Sequence, residues 1–209
     1  MLNQRDLLTV TRRLPARLRE LMKDSGSLFV AGGFIRACIS GEDVSDIDVF
    51  TYEKERAKEA ACDFAGEGIK CIETDNAFTV PGRPPIQFIH RWTFDRPESC
   101  VASFDFTIAQ AAVWYEQGEW RSHCADTYYE DLAARRLVYT KPGKPEAGAS
   151  ILRMIKFIRR GYKISMEDLA ALLAAFARMD RGGNMDTEQV FRGLLREVDP
   201  LIDPDGVMD

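Results

Sequence analysis

The stretch that most constrains this chain is residues 27–50, where an apolar run, a pair of glycines and two aspartates follow one another. The apolar run 28–31 is typical of a buried strand, and it stops at Gly32 and Gly33. A backbone without Cβ atoms can turn sharply there and let a ligand come close. Apolar residues then recur at helical spacing, which places Gly33 near a helix N-terminus. Unpaired N–H groups and the positive end of the helix dipole favour a phosphate at such a position.

A second predicted strand carries two aspartates on one face. Asp46 and Asp48 alternate with Ile47 and Val49, because successive side chains of a strand point to opposite faces. Two carboxylates one strand repeat apart, about 7 Å along the backbone, can hold a hard divalent cation together. Mg²⁺ prefers oxygen ligands combined with substrate phosphates. Each motif alone is usually a plain turn or a solvated strand end, but the ordered pair predicts a site for phosphate and cation.

Composition limits the classes of protein that this chain can belong to. Its 209 residues are 45% hydrophobic, enough for a sizeable core. The first residues lack the apolar segment of a signal peptide, and no apolar run is long enough to span a membrane. We therefore expect a cytoplasmic protein without membrane contact.

Five widely spaced cysteines argue against a disulfide framework or a zinc site. The net charge of −5 predicts that any RNA contact is local.

Up to residue 140 the pattern mixes helices and strands. A helix over 4–23 is interrupted at Pro15, and its arginines are read as a solvated face. Further elements are predicted as helices at 53–66 and 128–136, strands at 69–74, 78–80, 86–90 and 137–140, a polar connector at 91–100, an alternating segment at 101–108, and a hairpin joining 111–115 to 120–123 around Gln117 and Gly118.

Beyond the linker 141–145 the pattern is helical throughout. One helix is expected to bury Ile151, Met154 or Ile155, Ile158 and Tyr162, and to present a basic stripe of Arg153, Lys156, Arg160 and Lys163. Whether that stripe binds a ligand or is only solvated stays open. Ser165 and Asp168 form a possible capping box for a helix over 166–179, and a last helix is expected over 186–198.

Four stretches, taken in order, resemble one branch of the DNA polymerase β-like nucleotidyltransferases, the head domain of bacterial poly(A) polymerases and CCA-adding enzymes (class II). They are Gly32-Gly-Phe-Ile-Arg36 with Asp46-Ile-Asp48, Asp105-Phe-Thr-Ile-Ala109, Glu130-Asp-Leu-Ala-Ala-Arg135 and Ile151-Leu-Arg-Met-Ile-Lys156. The resemblance implies an α+β fold with a mixed sheet flanked by helices, followed by a small all-helical segment. It divides the chain into a head domain at 1–140 with the helix 4–23 packed on it, a neck-like segment at 146–199 and an acidic tail at 200–209.

The same resemblance implies an enzyme that moves a nucleoside monophosphate from a nucleoside triphosphate, such as ATP, onto an acceptor hydroxyl. The acceptor would be the 3′ end of a tRNA-like RNA, or a protein. The implied cofactor is Mg²⁺ or Mn²⁺, held by the catalytic residues Asp46, Asp48 and Asp105. The implied nucleotide-binding residues are Gly32, Gly33, Arg36, Ser45, Arg153 and Lys156.

The sequence also departs from the family pattern. Ser103 and Phe104 stand where these enzymes have two arginines, and Gln87 stands where relatives often have an acidic residue. The motif by which CCA-adding enzymes select bases is absent, which argues against CCA addition itself. These departures favour an alternative hypothesis, a catalytically impaired module that binds a nucleotide or a protein partner.

Overall fold

The computed structural model describes residues 1–141 and 147–179. The chain forms two compact units, the first comprising Met1–Ala133 and the second beginning at Ala134. The division into head domain, neck-like segment and tail stays a prediction, and the expected helix 186–198 and the tail 200–209 lie outside the described residues. Within the described ranges, no helix has the length and apolar character needed to cross a membrane.

The first unit alternates helices and strands. Its helices are α1 (Gln4–Arg13), α2 (Ala16–Ser25), α3 (Gly33–Ser40), α4 (Lys54–Ala65), α5 (Pro97–Ser103) and α6 (Tyr128–Ala133), with a 3-10 turn at Thr107–Ala109. Its strands are β1 (Leu28–Ala31), β2 (Ile47–Thr51), β3 (Ile72–Glu73), β4 (Ala77–Val80), β5 (Ile86–Ile89), β6 (Ala111–Glu116) and β7 (Glu119–Cys124). The break between α1 and α2 falls at Pro15, as the sequence predicts.

All seven strands join one mixed sheet in the order β3-β4-β5-β2-β1-β6-β7. Neighbours are antiparallel except β2 and β5, which run parallel. The hairpin β6–β7 turns at Gln117 and Gly118, which both have positive φ, as a tight two-residue hairpin turn requires. The predicted α+β fold with a mixed sheet flanked by helices is confirmed.

Different helices pack on the two faces of the sheet. On one face, Phe29 and Phe50 are buried against Cys100 and Val101 of α5. On the other face α4 packs, with Phe64 in ring contact with Phe88. Because Phe29 is fully buried, truncating such a side chain to alanine typically costs about 3–5 kcal/mol.

The segment between β5 and β6 differs from the prediction. The polar connector expected over 91–100 ends at residue 96, where α5 begins, and the alternating segment expected over 101–108 is replaced by the end of α5 and the 3-10 turn. Pro97 opens α5, where its fixed φ suits a first helical residue. Asp105 therefore lies in the short loop after α5, not in a strand.

The second unit, described by itself, contains α7 (Ala147–Arg159), α8 (Met166–Met179) and the parallel pair β8 (Arg136–Leu137) and β9 (Lys163–Ile164). The predicted apolar face of α7 is confirmed in part, since Ile151, Met154 and Tyr162 are buried. Phe157 is buried as well, whereas Ile155 and Ile158 are 40% and 44% exposed. The capping box of α8 is present, since Asp168 N–H donates to Ser165 Oγ at 3.0 Å.

Candidate functional site

The centre of the candidate site is the turn between β1 and α3. Gly32 adopts a φ of 84°, which side chains rarely allow, and its N–H donates to the carbonyl of Ala111 at 3.0 Å. Gly33 is the first residue of α3. The first N–H groups of a helix have no acceptor within it, so this turn presents donors and a positive dipole end.

Strand register brings the two aspartates to this turn. β1 and β2 are antiparallel with Val30 opposite Val49, so the next pair along the register is Ala31 opposite Asp48. Asp46 directly precedes β2 and accepts a hydrogen bond from Ser45 Oγ at 2.9 Å. Both carboxylates are half-buried. The glycine turn and the Asp-x-Asp pair therefore lie together at one end of the β1–β2 pair.

Asp48 belongs to a row of side chains that crosses the sheet. On the parallel neighbour β5 its register partner is Gln87, and on β4 the partner of Gln87 is Thr79. On the other side the row continues through Ala31, whose partner is Ala112. We call Asp48, Gln87 and Thr79 the polar row. The next row on the same face, two residues along the strands, is apolar and includes Phe29 and Phe50.

Arg36 lies beside the glycine turn but is buried in an ion pair. Its side chain is only 5% exposed, and its Nε lies 3.3 Å from Glu42 Oε2. One of its terminal nitrogens would lie 3.9 Å from a Cβ built on Gly33, so the guanidinium reaches back to the start of α3. The predicted nucleotide-binding arginine is therefore close to the turn, with its charge partly balanced by Glu42.

Asp105 is buried, with only 4% of its surface exposed. The turn that follows it is fixed by Thr107, whose hydroxyl donates to the fully buried Asp131 at 2.6 Å. Among the residues that the structure describes, no three His, Cys, Asp or Glu side chains form a group that could hold a metal ion. The assignment of Asp105 as a third ligand beside Asp46 and Asp48 stays a prediction.

Helix α5 borders the face of the sheet that carries Asp48. Burial raises the pKa of the Cys100 thiol, and the nearby charge of Asp48 raises it further. The ring of Phe104, just after α5, would come within 3.3 Å of a Cβ built on Gly32. Sequence reasoning identified Phe104 only as a departure from the family pattern. Its contact with the glycine turn follows from the placement of α5, which the sequence did not predict.

A surface pocket of about 500 Å³ lies at the opposite end of the β1–β2 pair. It is lined by Ser27, Tyr52, Glu53, Glu55, Arg56 and Glu59. Three glutamates against one arginine make this pocket unfavourable for a phosphate. Of these two regions, the glycine turn is therefore the one that suits an anion.

Arg153 and Lys156 lie on α7 in the second unit, and both are half-buried. Arg153 donates to Ser150 Oγ at 3.5 Å. Arg160 and Lys163 fall beyond the end of α7, so the predicted basic residues do not form one helical stripe. The role of Arg153 and Lys156 in nucleotide binding stays a prediction.

The model of one protein family, the Gabija anti-defense 2 family, matches residues 4–135, which is more than half of the chain. The chain belongs to the Gabija anti-defense 2 family. No curated protein matches the sequence of this family member.

Solved structures share the fold of this Gabija anti-defense 2 protein. The Thermotoga maritima CCA-adding enzyme complexed with tRNA matches with a TM-score of 0.62 and 20% identity, over 94% of this chain and 50% of that one. A tRNA nucleotidyltransferase complexed with a primer tRNA and an ATP analogue matches with 0.63 and 20%, over 87% and 54%. A CCA-adding enzyme with ATP matches with 0.64 and 19%, over 96% and 51%. The chain thus spans about half the length of these structures, and the likeness establishes the nucleotidyltransferase-like fold.

Proposed function

We propose that this protein is a metal-dependent nucleotidyltransferase that moves a nucleoside monophosphate from a nucleoside triphosphate onto an acceptor hydroxyl. The observation that carries the proposal is the register of β1 and β2, which sets the Gly32–Gly33 turn beside Asp48. An anion-binding helix start next to a pair of carboxylates suits a triphosphate accompanied by a divalent cation.

The donor set fits Mg²⁺ or Mn²⁺. Mg²⁺ is commonly bound through one or two carboxylates together with water and substrate phosphates, and Asp46 and Asp48 offer such a pair. When bound, the cation lowers the pKa of an attacking hydroxyl and neutralises charge on the phosphates. Asp46 and Asp48 would hold it, and Ser45 would orient Asp46 through their 2.9 Å hydrogen bond.

The remaining residues of the site act on the triphosphate. In the transfer, the acceptor hydroxyl gives up its proton to solvent and its oxygen forms a bond to the α-phosphorus. The bond from that phosphorus to the bridging oxygen breaks, and pyrophosphate leaves. The N–H groups at the start of α3 would bind the β- and γ-phosphates and stabilise the charge that develops on the leaving pyrophosphate. Arg36 would hold the end of α3 in place through its pair with Glu42.

Two observations bear on the acceptor. Two of the enzymes with this fold are complexed with tRNA, in one case a primer tRNA. In this chain, residues 134–163 hold nine lysines and arginines and a single acidic residue, a composition that suits phosphate contact. We propose an RNA 3′ hydroxyl as the acceptor. The name of the family directs the search for the physiological acceptor to components of the Gabija defence, where a protein hydroxyl is the other option.

A second candidate function is a nucleotide-binding or partner-binding module without catalysis. It is favoured by the neutral Gln87 beside Asp48, by the Phe104 ring on Gly32 and by the pairing of Arg36 with Glu42. Such a module would bind a nucleoside triphosphate without releasing pyrophosphate.

The test is incubation of the full chain with each of four α-labelled nucleoside triphosphates, Mg²⁺ and either total RNA or lysate. We expect pyrophosphate release, label transfer to one acceptor class, and a higher melting temperature with Mg²⁺ or Mn²⁺. Asp46→Asn with Asp48→Asn should abolish the metal response and lower transfer by at least about a hundredfold. Asp43→Asn with Asp75→Asn, which removes the same charge from exposed positions, should leave both unchanged.

The outcomes separate the candidates. Nucleotide binding without pyrophosphate release would establish the non-catalytic module. Full transfer by the Asp46→Asn and Asp48→Asn variant would place the active site elsewhere in the chain.

A further inference from the structure

Two of the five cysteines come together where α4 ends. Cys62 lies in the last turn of that helix and is exposed, whereas Cys71 directly precedes the edge strand β3 and is half-buried. The Sγ of Cys71 lies 3.6 Å from the carbonyl oxygen of Ala61, the residue before Cys62. A side-chain hydrogen bond also joins the thiols of Cys71 and Cys62. The spacing of the cysteines in the sequence gives no sign of this pair, which the fold alone creates.

The short segment between α4 and β3 lets the two sulfurs approach each other. Gly66 has a φ of 66°, and its N–H donates to the carbonyl of Cys62 at 2.9 Å, which ends α4 and turns the chain. Residues 67–70 lie outside helices and strands and are exposed. Segments with few buried contacts move at little cost in free energy. Movement of Cys71 toward Cys62 therefore displaces no buried side chain from residues 67–70.

A dissolved reagent reaches this pair before any other cysteine. Cys38, Cys100 and Cys124 are buried, whereas Cys62 is exposed. Burial raises the pKa of the Cys71 thiol, and the neighbouring Cys62 raises it further. Because the thiolate is the nucleophile in exchange reactions, Cys62 is the sulfur that attacks a dissolved partner first, and Cys71 reacts second.

We propose that Cys62 and Cys71 form a dithiol site that undergoes thiol–disulfide exchange with low-molecular-weight disulfides such as oxidised glutathione. In the first step the Cys62 thiolate attacks one sulfur of the small disulfide, which forms a mixed disulfide and releases one thiolate. In the second step the Cys71 thiolate attacks the Cys62 sulfur, and the small thiol leaves as its thiolate. The two cysteines together lose two protons and two electrons, and the small disulfide is reduced to two thiols. This modification goes beyond the proposed nucleotidyl transfer and uses none of its residues.

The experiment measures where the disulfide forms. The full-length protein is equilibrated in buffers with increasing ratios of oxidised to reduced glutathione, quenched with acid, denatured and alkylated. Trypsin cleaves after Lys70, so Cys62 and Cys71 fall on separate peptides, and mass spectrometry identifies a disulfide that joins them. We expect joined peptides and little glutathione on Cys62. Stable glutathione on Cys62 without joined peptides would overturn the proposal.

The same titration in urea tests whether the fold creates the pair, and it needs no variant. A disulfide that fits the native structure forms more readily in the folded chain than in the unfolded one, by the amount that it stabilises the fold. We expect the equilibrium constant for the Cys62–Cys71 disulfide to be at least about tenfold larger in the native protein than in urea. An equal or larger constant in urea would mean that the native geometry does not favour the bond, and the assignment would be wrong.

The matched control moves one thiol by a single position. Cys62→Ser with Asp63→Cys keeps the number of cysteines and an exposed thiol on α4. Adjacent side chains of a helix point about 100° apart, so the moved thiol no longer faces Cys71. We expect at least about a tenfold smaller equilibrium constant for the disulfide. Equal constants would show that any thiol near the end of α4 reacts in this way, which contradicts a site built by Cys62 and Cys71.

Cys71→Ser tests the order of the two steps. It removes the second thiol, so we expect glutathione to remain on Cys62 as a stable mixed disulfide. If glutathione is instead found on Cys71 in Cys62→Ser and not on Cys62 in Cys71→Ser, the proposed order of attack is wrong. The melting temperature of each reduced variant identifies any that are unfolded, and for those the comparison of native protein with urea decides the outcome.

Discussion

Two adjacent glycines in the candidate site have different physical roles. Gly32 has a φ of 84°, and a Cβ built on it would lie 3.3 Å from the Phe104 ring. Gly33 begins α3 with no such φ, and its Cβ would meet nothing nearer than 3.9 Å. The backbone conformation therefore requires glycine at position 32 but not at position 33. The absence of a side chain at Gly33 leaves space at the start of α3.

This difference predicts opposite responses to alanine. Gly32→Ala should lower the free energy of unfolding by about 1–3 kcal/mol, because it forces a side chain into the left-handed region and against Phe104. Gly33→Ala should leave the stability within about 1 kcal/mol of the parent, or raise it slightly, because alanine is the better helix former. Urea unfolding of both variants measures the difference. Equal losses of stability in the two variants would show that the positive φ of Gly32 is not the reason why this position needs glycine.

Gly33→Ala then becomes a probe of the proposed phosphate site. If the helix start binds the triphosphate closely, the added methyl group should weaken nucleotide binding in a protein of unchanged stability. Unchanged nucleotide affinity would mean that the phosphates do not approach Gly33.

Local sequence predicts the helices and strands that are determined by residues close together in the chain. The strand, glycine turn and helix of β1 and α3 follow from apolar periodicity and the Gly32–Gly33 pair. The β6–β7 hairpin follows from the polar pair Gln117 and Gly118.

The segment containing α5 was mispredicted for a physical reason. A helix of seven residues covers only about two turns, too short for the helical period to stand out from the alternation around Asp105. Packing of Cys100 and Val101 on the sheet supports this helix instead. The pairing of β2 with β5 cannot be predicted from local sequence either, because no local pattern specifies the register of strands that lie 35 or more residues apart.

The element that follows Asp105 is held by a buried hydrogen bond that can be tested. Thr107→Val keeps the shape of the side chain and removes the hydroxyl that donates to the fully buried Asp131 at 2.6 Å. We expect the free energy of unfolding to fall by about 1–3 kcal/mol, because a buried carboxylate loses a donor. Chemical unfolding followed by circular dichroism measures the loss.

The control is Thr9→Val, which removes an exposed hydroxyl that donates to the carbonyl of Arg5 at 2.9 Å. Surface changes of this kind usually stay within about 0.5 kcal/mol. If both variants lose the same stability, the buried hydrogen bond between Thr107 and Asp131 stabilises the turn no more than an exposed hydrogen bond would.

The net charge of −5 for the whole chain is a sum over regions of opposite charge. Residues 1–133 contain fifteen lysines and arginines and twenty-two acidic residues, whereas residues 134–163 contain nine basic residues and one acidic residue. The expectation that any RNA contact is local is consistent with this distribution. Whole-chain charge does not show where such a contact lies, because the acidic first unit hides the basic segment.

This distribution leads to a prediction about the salt dependence of RNA binding. Lys156 and Lys163 belong to the basic segment, and Lys163 is exposed on β9. Changing both to glutamine should leave the melting temperature nearly unchanged, as for most surface substitutions. If each lysine binds a phosphate, the slope of log affinity against log salt should become shallower by about 0.7–0.9 for each lysine that is replaced.

The control variant, Arg5→Gln with Arg12→Gln, removes the same charge from exposed positions on α1. Binding of a labelled single-stranded RNA is measured by fluorescence anisotropy over a series of salt concentrations. We expect the α1 variant to keep the parental slope, because the first unit as a whole is acidic and attracts few phosphates. A shallower slope in the α1 variant, with the parental slope in the Lys156 and Lys163 variant, would move the RNA contact to the N-terminal arginines. The acidic first unit would then bind RNA against its own net charge, through interactions close enough to outweigh the repulsion.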